Sequence, residues 1–356
     1  MGVSLNQQEI MSTQVSSQSQ QNYRDNSKSK RKAILTDILK NNLRLSEFAL
    51  NNICTAKCKF CSIWRQRDKV SVDTEKALKT ISHLASLGVR FITLTGGEPL
   101  LHPGFERLIE RCNQENVVSA ILAADARLFN ANRLEALGRN KPDLVCISVD
   151  HHEEEVAYDS RAIPDILAHT ERAVRELTER GIKTMASTLI CDFNHKSLRE
   201  LFQKCMDMGF TFITVNYPEF SESPVYTLGG DAITLTREDI LENLDEIVQL
   251  KKEFPIANTI TSIRNVASYL RGETPKYMCL GGYRVFFIDW FFQAHPCMHL
   301  ERTLGDVLEL TRKDLVKVPC NDCNMSWYRD FSIYFHGLKS IKPLYEGLDF
   351  VFNRVF

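Results

Sequence analysis

The sequence lacks any apolar run of about 18 residues, the length that a membrane-spanning helix requires. Residues 1–20 are rich in Gln and Ser and contain neither a hydrophobic segment nor an Arg-rich amphipathic pattern, so we expect a disordered extension without a targeting signal. The formal net charge is only −1, and this balance gives no support for nucleic-acid binding. The one basic run, Lys28–Lys32, is interpreted as a solvated arm.

Disulfide bonds are not expected, although the chain has 11 cysteines. Without a secretory signal we expect a cytoplasmic, reducing location, where cysteines bind metals more often than they pair. With 356 residues, 44% of them hydrophobic, the chain is long enough to bury one large core or two moderate ones. Cys112, Cys146, Cys191 and Cys205 lie among apolar neighbours and are interpreted as inert core residues.

Three other cysteines follow one another within one short segment. Cys54, Cys58 and Cys61 have the spacing C-x3-C-x2-C. Three thiolates on one loop can hold three irons of a [4Fe–4S] cluster, which normally takes four cysteines, so one iron is left open. A zinc knuckle is the alternative, but it needs a fourth ligand nearby, and the nearest histidines, His83 and His102, are distant in the sequence.

This segment, with the aromatic Phe60 just before the last cysteine, resembles the signature of the AdoMet radical (radical SAM) superfamily. In that superfamily the amino and carboxylate groups of S-adenosylmethionine (AdoMet) bind the open iron. The resemblance therefore implies an enzyme with a [4Fe–4S] cluster and AdoMet, and it places Phe60 beside the cofactor.

Strand and helix signals alternate after the lead-in region. Six short apolar segments are predicted as buried strands: Leu43–Leu50, Arg90–Leu94, Val118–Ala123, Leu144–Val149, Ile182–Ile190 and Phe212–Asn216. The helices between them are predicted at Asp73–Leu87, Phe105–Asn113, Ala131–Leu137, Ile166–Arg180 and Lys196–Met208. This alternation predicts an α/β fold with a parallel sheet, and six units suit an open, partial (β/α)6 TIM-like barrel. The resemblance implies the same fold, with the chemistry at the carboxyl ends of the strands.

We expect four segments along the chain. They are a disordered, basic tail with a short lead-in helix (1–41), the partial barrel (42–260), a small iron–sulfur extension (261–335) and a C-terminal tail (336–356). The lead-in segment is too short for a fused peptide-binding domain, and no further domain is expected for a cobalamin cofactor.

A Gly-Gly-Glu-Pro turn follows the second predicted strand at Gly96, Gly97, Glu98 and Pro99. Two glycines let the backbone come close to a ligand, the glutamate offers an acceptor and the proline stiffens the turn. The tetrapeptide resembles the GGEP motif of the family, which holds the methionine amino group of AdoMet.

The fourth predicted strand ends at Ser148 and Asp150, which are similar to the S-x-D that many of these enzymes place beside the carboxylate and ribose of AdoMet. Loop capping is the alternative. Arg161 is a candidate partner for the AdoMet carboxylate, and a surface salt bridge is equally compatible with its position. After the third strand, many relatives have Thr-Asn-Gly where this chain has Ala124-Asp125-Ala126. We therefore assign none of the contacts of that motif to these three residues.

Tyr217 and Glu219 follow the sixth predicted strand. A phenol and a carboxylate at this end of the barrel are candidates for substrate binding or proton transfer, and a structural role is the alternative.

Four more cysteines, Cys279, Cys297, Cys320 and Cys323, can together ligate one metal centre. Their surroundings resemble the Twitch or SPASM extensions of AdoMet radical enzymes, in which a β-hairpin and a following helix hold an auxiliary [4Fe–4S] cluster. The resemblance implies one such cluster, and a structural zinc site is the alternative. Relatives usually have a glycine five residues before the second cysteine, whereas this chain has Phe292.

The resemblance implies reductive cleavage of AdoMet to a 5′-deoxyadenosyl radical that abstracts hydrogen from a substrate. A second cluster favours oxidation or bond-forming rearrangement of a small molecule, with a flavodoxin or ferredoxin type of electron donor. Maturation of a peptide substrate is one alternative. A non-catalytic iron–sulfur sensor or electron carrier is an alternative of another class.

Overall fold

A computed structural model of the chain describes residues 26–218, 233–300, 302–318, 320–321 and 323–336. Nine strands form one sheet: β1 Arg44–Ala49, β2 Val89–Thr95, β3 Val118–Ala123, β4 Leu144–Ser148, β5 Thr184–Leu189, β6 Phe212–Asn216, β7 Val285–Ile288, β8 Gln293–His295 and β9 Gly305–Asp306. Each predicted strand overlaps one of β1 to β6.

The helices that the structure describes are α1 (26–39), α2 Thr74–Ser86, α3 Phe105–Gln114, α4 Ala131–Arg139, α5 Glu154–Arg161, α6 Ile166–Glu179, α7 Leu198–Asp207, α8 Arg237–Leu250, α9 Ile260–Leu270 and α10 Ser326–His336. Asp73 caps α2 by accepting a hydrogen bond from the Lys76 backbone N–H at 2.7 Å. No helix within the described ranges is long and apolar enough to cross a bilayer.

The sheet is an open, partial (β/α)6 barrel. Strands β1 to β6 are parallel and lie in sequential order, with β1 next to β2 and β6 at one edge. The prediction of this fold is confirmed. The C-terminal part adds to the same sheet, because β7 pairs in parallel with β1 and β8 and β9 continue it antiparallel. The expected hairpin of the extension is therefore a continuation of the barrel wall.

The lead-in region differs from the expected solvated arm. Residues 26–39 are helical, so the helix includes the whole basic run. Lys30 is only 1% exposed, and its ammonium donates hydrogen bonds to Asp143 at 2.6 Å and to Asn113 at 2.7 Å. Burial of the charge is possible because a carboxylate and an amide oxygen compensate it. The sequence did not show this partner, because Asp143 lies far away in the chain.

Alternate residues of the strands face the inside of the barrel, and small side chains dominate there. The interior strand positions are Glu47, Thr93, Thr95, Ala120, Leu122, Leu144, Cys146, Ser148, Met185, Ser187, Leu189, Thr214 and Asn216. This alternation follows from the two-residue repeat of a strand. Because few of these side chains are large, the barrel interior is a cavity of about 350 Å³, a size that suits a cofactor or small ligand.

Phe292 has a backbone conformation that favours glycine. It lies in the turn before β8 with φ of 63°, in the left-handed region that glycine adopts most easily. The phenylalanine is retained there through packing, because its ring lies 6.0 Å from that of Phe48 and the Lys76 ammonium lies 4.4 Å from its centroid.

Candidate functional site

The first three cysteines lie just after β1 and face the barrel cavity. Cys58 is buried, and Cys54 and Cys61 are half-buried. Burial raises the pKa of Cys54 to about 12, with further contributions from Glu98 and Cys58, and it raises the pKa of Cys58 to about 11. All three cysteines lie on one loop and line the same cavity, so their thiols are available there as sulfur ligands.

Cys146 also lines the cavity, but it lies on β4 and not on the cysteine loop. Burial raises its pKa to about 12. The loop therefore offers three sulfur ligands, which fits a [4Fe–4S] cluster with one iron open to an external ligand.

Gly96 and Gly97 line the cavity immediately beside the cysteine loop. An added Cβ would lie 2.3 Å from the Asn51 carbonyl oxygen at Gly96 and 2.3 Å from the Ile53 carbonyl oxygen at Gly97. The backbone of the turn is hydrogen-bonded to the same loop, with Gly97 N–H donating to Asn51 at 2.8 Å. Both glycines are thus required for close packing of the turn against the loop that carries the cysteines.

We expect Gly97→Ala to weaken AdoMet binding at least tenfold and to destabilise the protein by roughly 1–3 kcal/mol, because the new methyl group overlaps fixed backbone. Gly138→Ala in α4 is the control, since its Cβ would come no closer than 3.7 Å to the Arg180 side chain. Calorimetric titration of AdoMet and urea denaturation, both under anaerobic conditions, measure the two effects. Equal affinities and stabilities for the two variants would contradict this account of the turn.

Glu98 and Pro99 do not line the cavity. The Glu98 carboxylate is fully buried and accepts hydrogen bonds from the backbone N–H groups of Ala124 at 2.8 Å, Asp125 at 3.0 Å and Leu100 at 3.1 Å. Burial raises the pKa of Glu98 to about 7, although these three donors oppose the increase. The side chain thus ties the turn after β2 to the segment after β3.

Asp125 supports the cysteine loop, although this contact was not predicted from the sequence. It accepts a hydrogen bond from the Thr55 hydroxyl in the loop at 2.8 Å and forms an ion pair with Arg127 at 2.8 Å. A polar residue two positions after a buried strand is the local signal for such a role.

Ser148 lines the cavity, whereas Asp150 lies behind it and pairs with Arg161. The two side chains form a bidentate contact, with Arg161 Nε 2.6 Å from Asp150 Oδ2 and Nη2 3.1 Å from Oδ1. Arg161 is 7% exposed, so it is not a surface salt-bridge residue.

Arg161 connects this pair to the cysteine loop. Its Nη1 lies 3.4 Å from Cys58 Sγ, its guanidinium lies 5.2 Å from the centroid of the Phe60 ring, and its carbonyl oxygen accepts from Lys57 N–H at 2.8 Å. A cationic donor beside a thiolate stabilises the ionised form that binds metal. Both Arg161 and Phe60 line the cavity.

Tyr217 also reaches the cavity, while Glu219 lies outside the described residues. The Tyr217 hydroxyl is buried without a hydrogen-bond partner among the residues that the structure describes. Burial and the charge of Asp330 raise the pKa of Tyr217 well above its usual value. An unsatisfied buried hydroxyl at a cavity wall is available to a ligand.

Two buried carboxyl groups that the sequence did not indicate complete this half of the cavity. Glu47 of β1 accepts a hydrogen bond from the Tyr328 hydroxyl at 3.2 Å, and Asp330 of α10 accepts from the Asn258 amide at 2.7 Å and from the Ser262 hydroxyl. Burial raises the pKa of Glu47 to about 8 and that of Asp330 to about 7.

The later cysteines form a second group beside the cavity. Burial, followed by the charges of nearby groups that include Cys279 and Cys320, raises the pKa of Cys297 to about 11. Arg329 holds the segment of the last two cysteines, because its guanidinium donates to the carbonyl oxygens of Asn321 and Cys323, each at 2.7 Å. These cysteines do not line the cavity themselves, but their neighbours Met298 and Met325 do.

The two cysteine groups offer sulfur ligands alone. Thiolates are the ligands that iron–sulfur clusters take, so the donor set fits such clusters. Among the described side chains, no three His, Cys, Asp or Glu groups surround a position for a single metal ion.

The fold and site together define the class of the protein: a partial α/β barrel with a three-cysteine loop at the carboxyl end of its first strand. Residues 49–205 match the model of the Radical SAM superfamily. This part of the chain is therefore similar to radical SAM proteins, which bind a [4Fe–4S] cluster and AdoMet.

Two curated proteins and one solved structure illustrate the similarity. The antilisterial bacteriocin subtilosin biosynthesis protein AlbA of Bacillus subtilis is 21% identical over 276 residues, which are 76% of this chain and 59% of AlbA. The PqqA peptide cyclase of Gluconobacter oxydans is 22% identical over 242 residues, 67% of this chain and 65% of the relative. SuiB of Streptococcus suis, solved bound to S-adenosylmethionine, has a TM-score of 0.61 at 16% identity and covers 87% of this chain and 71% of SuiB. The chain thus spans about three fifths of the length of these two curated relatives.

Proposed function

We propose that the protein is an AdoMet radical enzyme that cleaves AdoMet reductively to a 5′-deoxyadenosyl radical, which abstracts hydrogen from a substrate. The observation that carries the proposal is the meeting of three loop thiols, two glycines and Ser148 at one wall of a single cavity. The match of residues 49–205 to the Radical SAM superfamily model supports the same activity.

Each residue of this wall has a distinct task in the proposed reaction. Cys54, Cys58 and Cys61 would hold a [4Fe–4S] cluster, which supplies one electron to AdoMet when both are bound. The backbone of Gly96 and Gly97 gives AdoMet room beside the loop, and the Ser148 hydroxyl offers a hydrogen bond.

Arg161 at the wall, and Asp150 and Glu98 behind it, act by positioning. Arg161 and Asp150 fix the middle of the cysteine loop, and Glu98 fixes the adjoining turns. The motif residues Glu98, Pro99 and Asp150 are therefore proposed to act on the cofactor site through the backbone and through other residues. Rigid support of this kind holds the reacting groups in a fixed position and orientation and excludes water.

The substrate would lie on the opposite side of the cavity, between the cysteine loop and the later cysteines. Cys279, Cys297, Cys320 and Cys323 are proposed to hold one auxiliary [4Fe–4S] cluster, which would accept an electron in an oxidation or bond-forming rearrangement of a small molecule. A flavodoxin or ferredoxin type of electron donor and a cytoplasmic location complete the proposal. Residues 42–260 and 261–335 are proposed as the catalytic barrel and the auxiliary extension, although they share one sheet.

Anaerobic reconstitution tests this function. We expect the full chain to bind about eight irons, the content of two [4Fe–4S] clusters. With dithionite as the reductant, it should then convert AdoMet to methionine and 5′-deoxyadenosine, which chromatography measures. Iron binding without AdoMet binding in a calorimetric titration would reject the enzyme and support an iron–sulfur sensor or electron carrier instead.

Peptide maturation is a second candidate, which the similarity to the PqqA peptide cyclase favours. The two substrate classes can be separated by incubating the reduced enzyme with deuterated candidate peptides or small molecules. Transfer of deuterium into 5′-deoxyadenosine identifies the class from which hydrogen is abstracted.

A further inference from the structure

The substrate half of the cavity contains two buried acids without a cationic partner. Glu47 and Asp330 line the cavity, and neither forms an ion pair with another described residue. Lys251 forms no ion pair with Asp330. Its charge lowers the pKa of Asp330, but this is the smallest of the effects on that pKa. A buried carboxylate without a compensating cation is costly, so such a group either takes up a proton or binds a cation.

Three aromatic side chains of α10 stand beside Asp330. Trp327, Phe331 and Tyr334 all line the cavity, and their spacing of four and three residues places them with Asp330 on one face of the helix. The rings of Trp327 and Phe331 lie 4.9 Å apart and those of Phe331 and Tyr334 lie 5.6 Å apart. Aromatic faces next to a carboxylate form the kind of surface that binds organic ammonium groups.

Tyr217 adds an acceptor to this surface. Its hydroxyl is buried at the cavity wall without a partner among the described residues, and it is close enough to Asp330 to be affected by that charge. An ammonium group has three N–H donors, which can be shared between carboxylate oxygens and a phenol oxygen. The two hydrogen bonds that Asp330 accepts from Asn258 and Ser262 leave its remaining lone pairs for a ligand.

We propose that the substrate carries an ammonium group, which binds between Asp330, Tyr217 and the aromatic face formed by Trp327, Phe331 and Tyr334. This assignment rests on the proposed function, because it takes the cavity as the substrate site. The sulfonium of AdoMet is the other onium cation that could occupy the same surface, so the experiment must separate the two sources.

The test uses the reconstituted full chain saturated with AdoMet and n-butylammonium as the probe, with butan-1-ol as its neutral counterpart. Ligand-observed NMR titrations should show that the ammonium binds at least about tenfold more tightly than the alcohol. Asp330→Asn should reduce the affinity for the ammonium to that for the alcohol and leave the affinity for the alcohol unchanged. Asp245→Asn, which removes the same charge from an exposed position of α8, should have no effect.

Trp327→Leu is a second variant at a half-buried position, and it keeps the proposal testable if Asp330→Asn does not fold. It should also weaken binding of the ammonium selectively. Equal binding of n-butylammonium and butan-1-ol, or an unchanged preference in both variants, would overturn the proposal. The same titration is made without AdoMet. Ammonium binding that occurs only in the absence of AdoMet would assign the surface to the sulfonium and would overturn the proposal as well. Cleavage of AdoMet is measured on the same preparation and tests the proposed function separately from ammonium binding.

Discussion

Replacement of Cys58 by alanine is expected to abolish AdoMet cleavage and to remove about four of the eight irons. Cys58 is buried in the middle of the loop, and its sulfur is the one that Arg161 contacts at 3.4 Å. With two thiolates left, the loop cannot hold a cluster that normally requires three or four. Iron content, the absorbance of the cluster and the yield of 5′-deoxyadenosine under dithionite measure the loss.

Cys112→Ala is the matched control for this variant. Cys112 is also fully buried, but it lies in α3 and does not line the cavity. We expect it to cost about 1 kcal/mol or slightly more in stability, as small core truncations do, and to retain both clusters and AdoMet cleavage. Retention of cleavage in Cys58→Ala would reject the assignment of the loop as the cluster site.

Asp150→Ala is expected to destabilise the protein by roughly 3–5 kcal/mol, because it leaves the buried guanidinium of Arg161 without its carboxylate. The same change should loosen the cysteine loop, since Arg161 contacts both the Cys58 sulfur and the Lys57 backbone. Urea denaturation under anaerobic conditions measures the free energy of unfolding, and iron analysis measures the effect on the loop.

Asp159→Ala provides the comparison, because Asp159 lies in α5, the helix that carries Arg161. Asp159 pairs with Lys59, also from the cysteine loop, but both side chains of this pair are exposed. An exposed ion pair contributes only about 0–1 kcal/mol. Similar losses of stability in the two variants would show that burial of the Asp150–Arg161 pair does not control the rigidity of the loop.

The sequence predicted most of the barrel because its strands are buried on both faces. Segments such as Val118–Ala123 have a continuous apolar pattern, and the predicted bounds of this strand match β3. Helix α5 was not predicted, because its apolar periodicity is weak. The helix is held in place by the ion pair of Arg161 with Asp150, which is a tertiary contact. Strand β7 was not predicted as a partner of β1, since parallel pairing between distant segments leaves no local pattern.

The candidate site was predictable only where its residues are consecutive in the chain. The cysteine loop and the GGEP turn are recognisable because their spacing is local, and the structure brings both to one cavity wall. Asp330 and Glu47 could not be identified in this way. They are isolated acids in apolar segments, and their significance arises from burial against residues far away in the sequence.

The sequence by itself determined the type of fold and the local ligand motifs, because periodicity and short spacings act within a few turns of chain. Only the tertiary structure decided which motif residues face the cavity. Ser148 and Arg161 lie at the cavity wall, whereas Glu98 and Asp150 lie behind it and form hydrogen bonds to other residues. Lys30 is buried against Asp143. These outcomes depend on which distant groups compensate a buried charge, and that is settled only when the strands and helices pack.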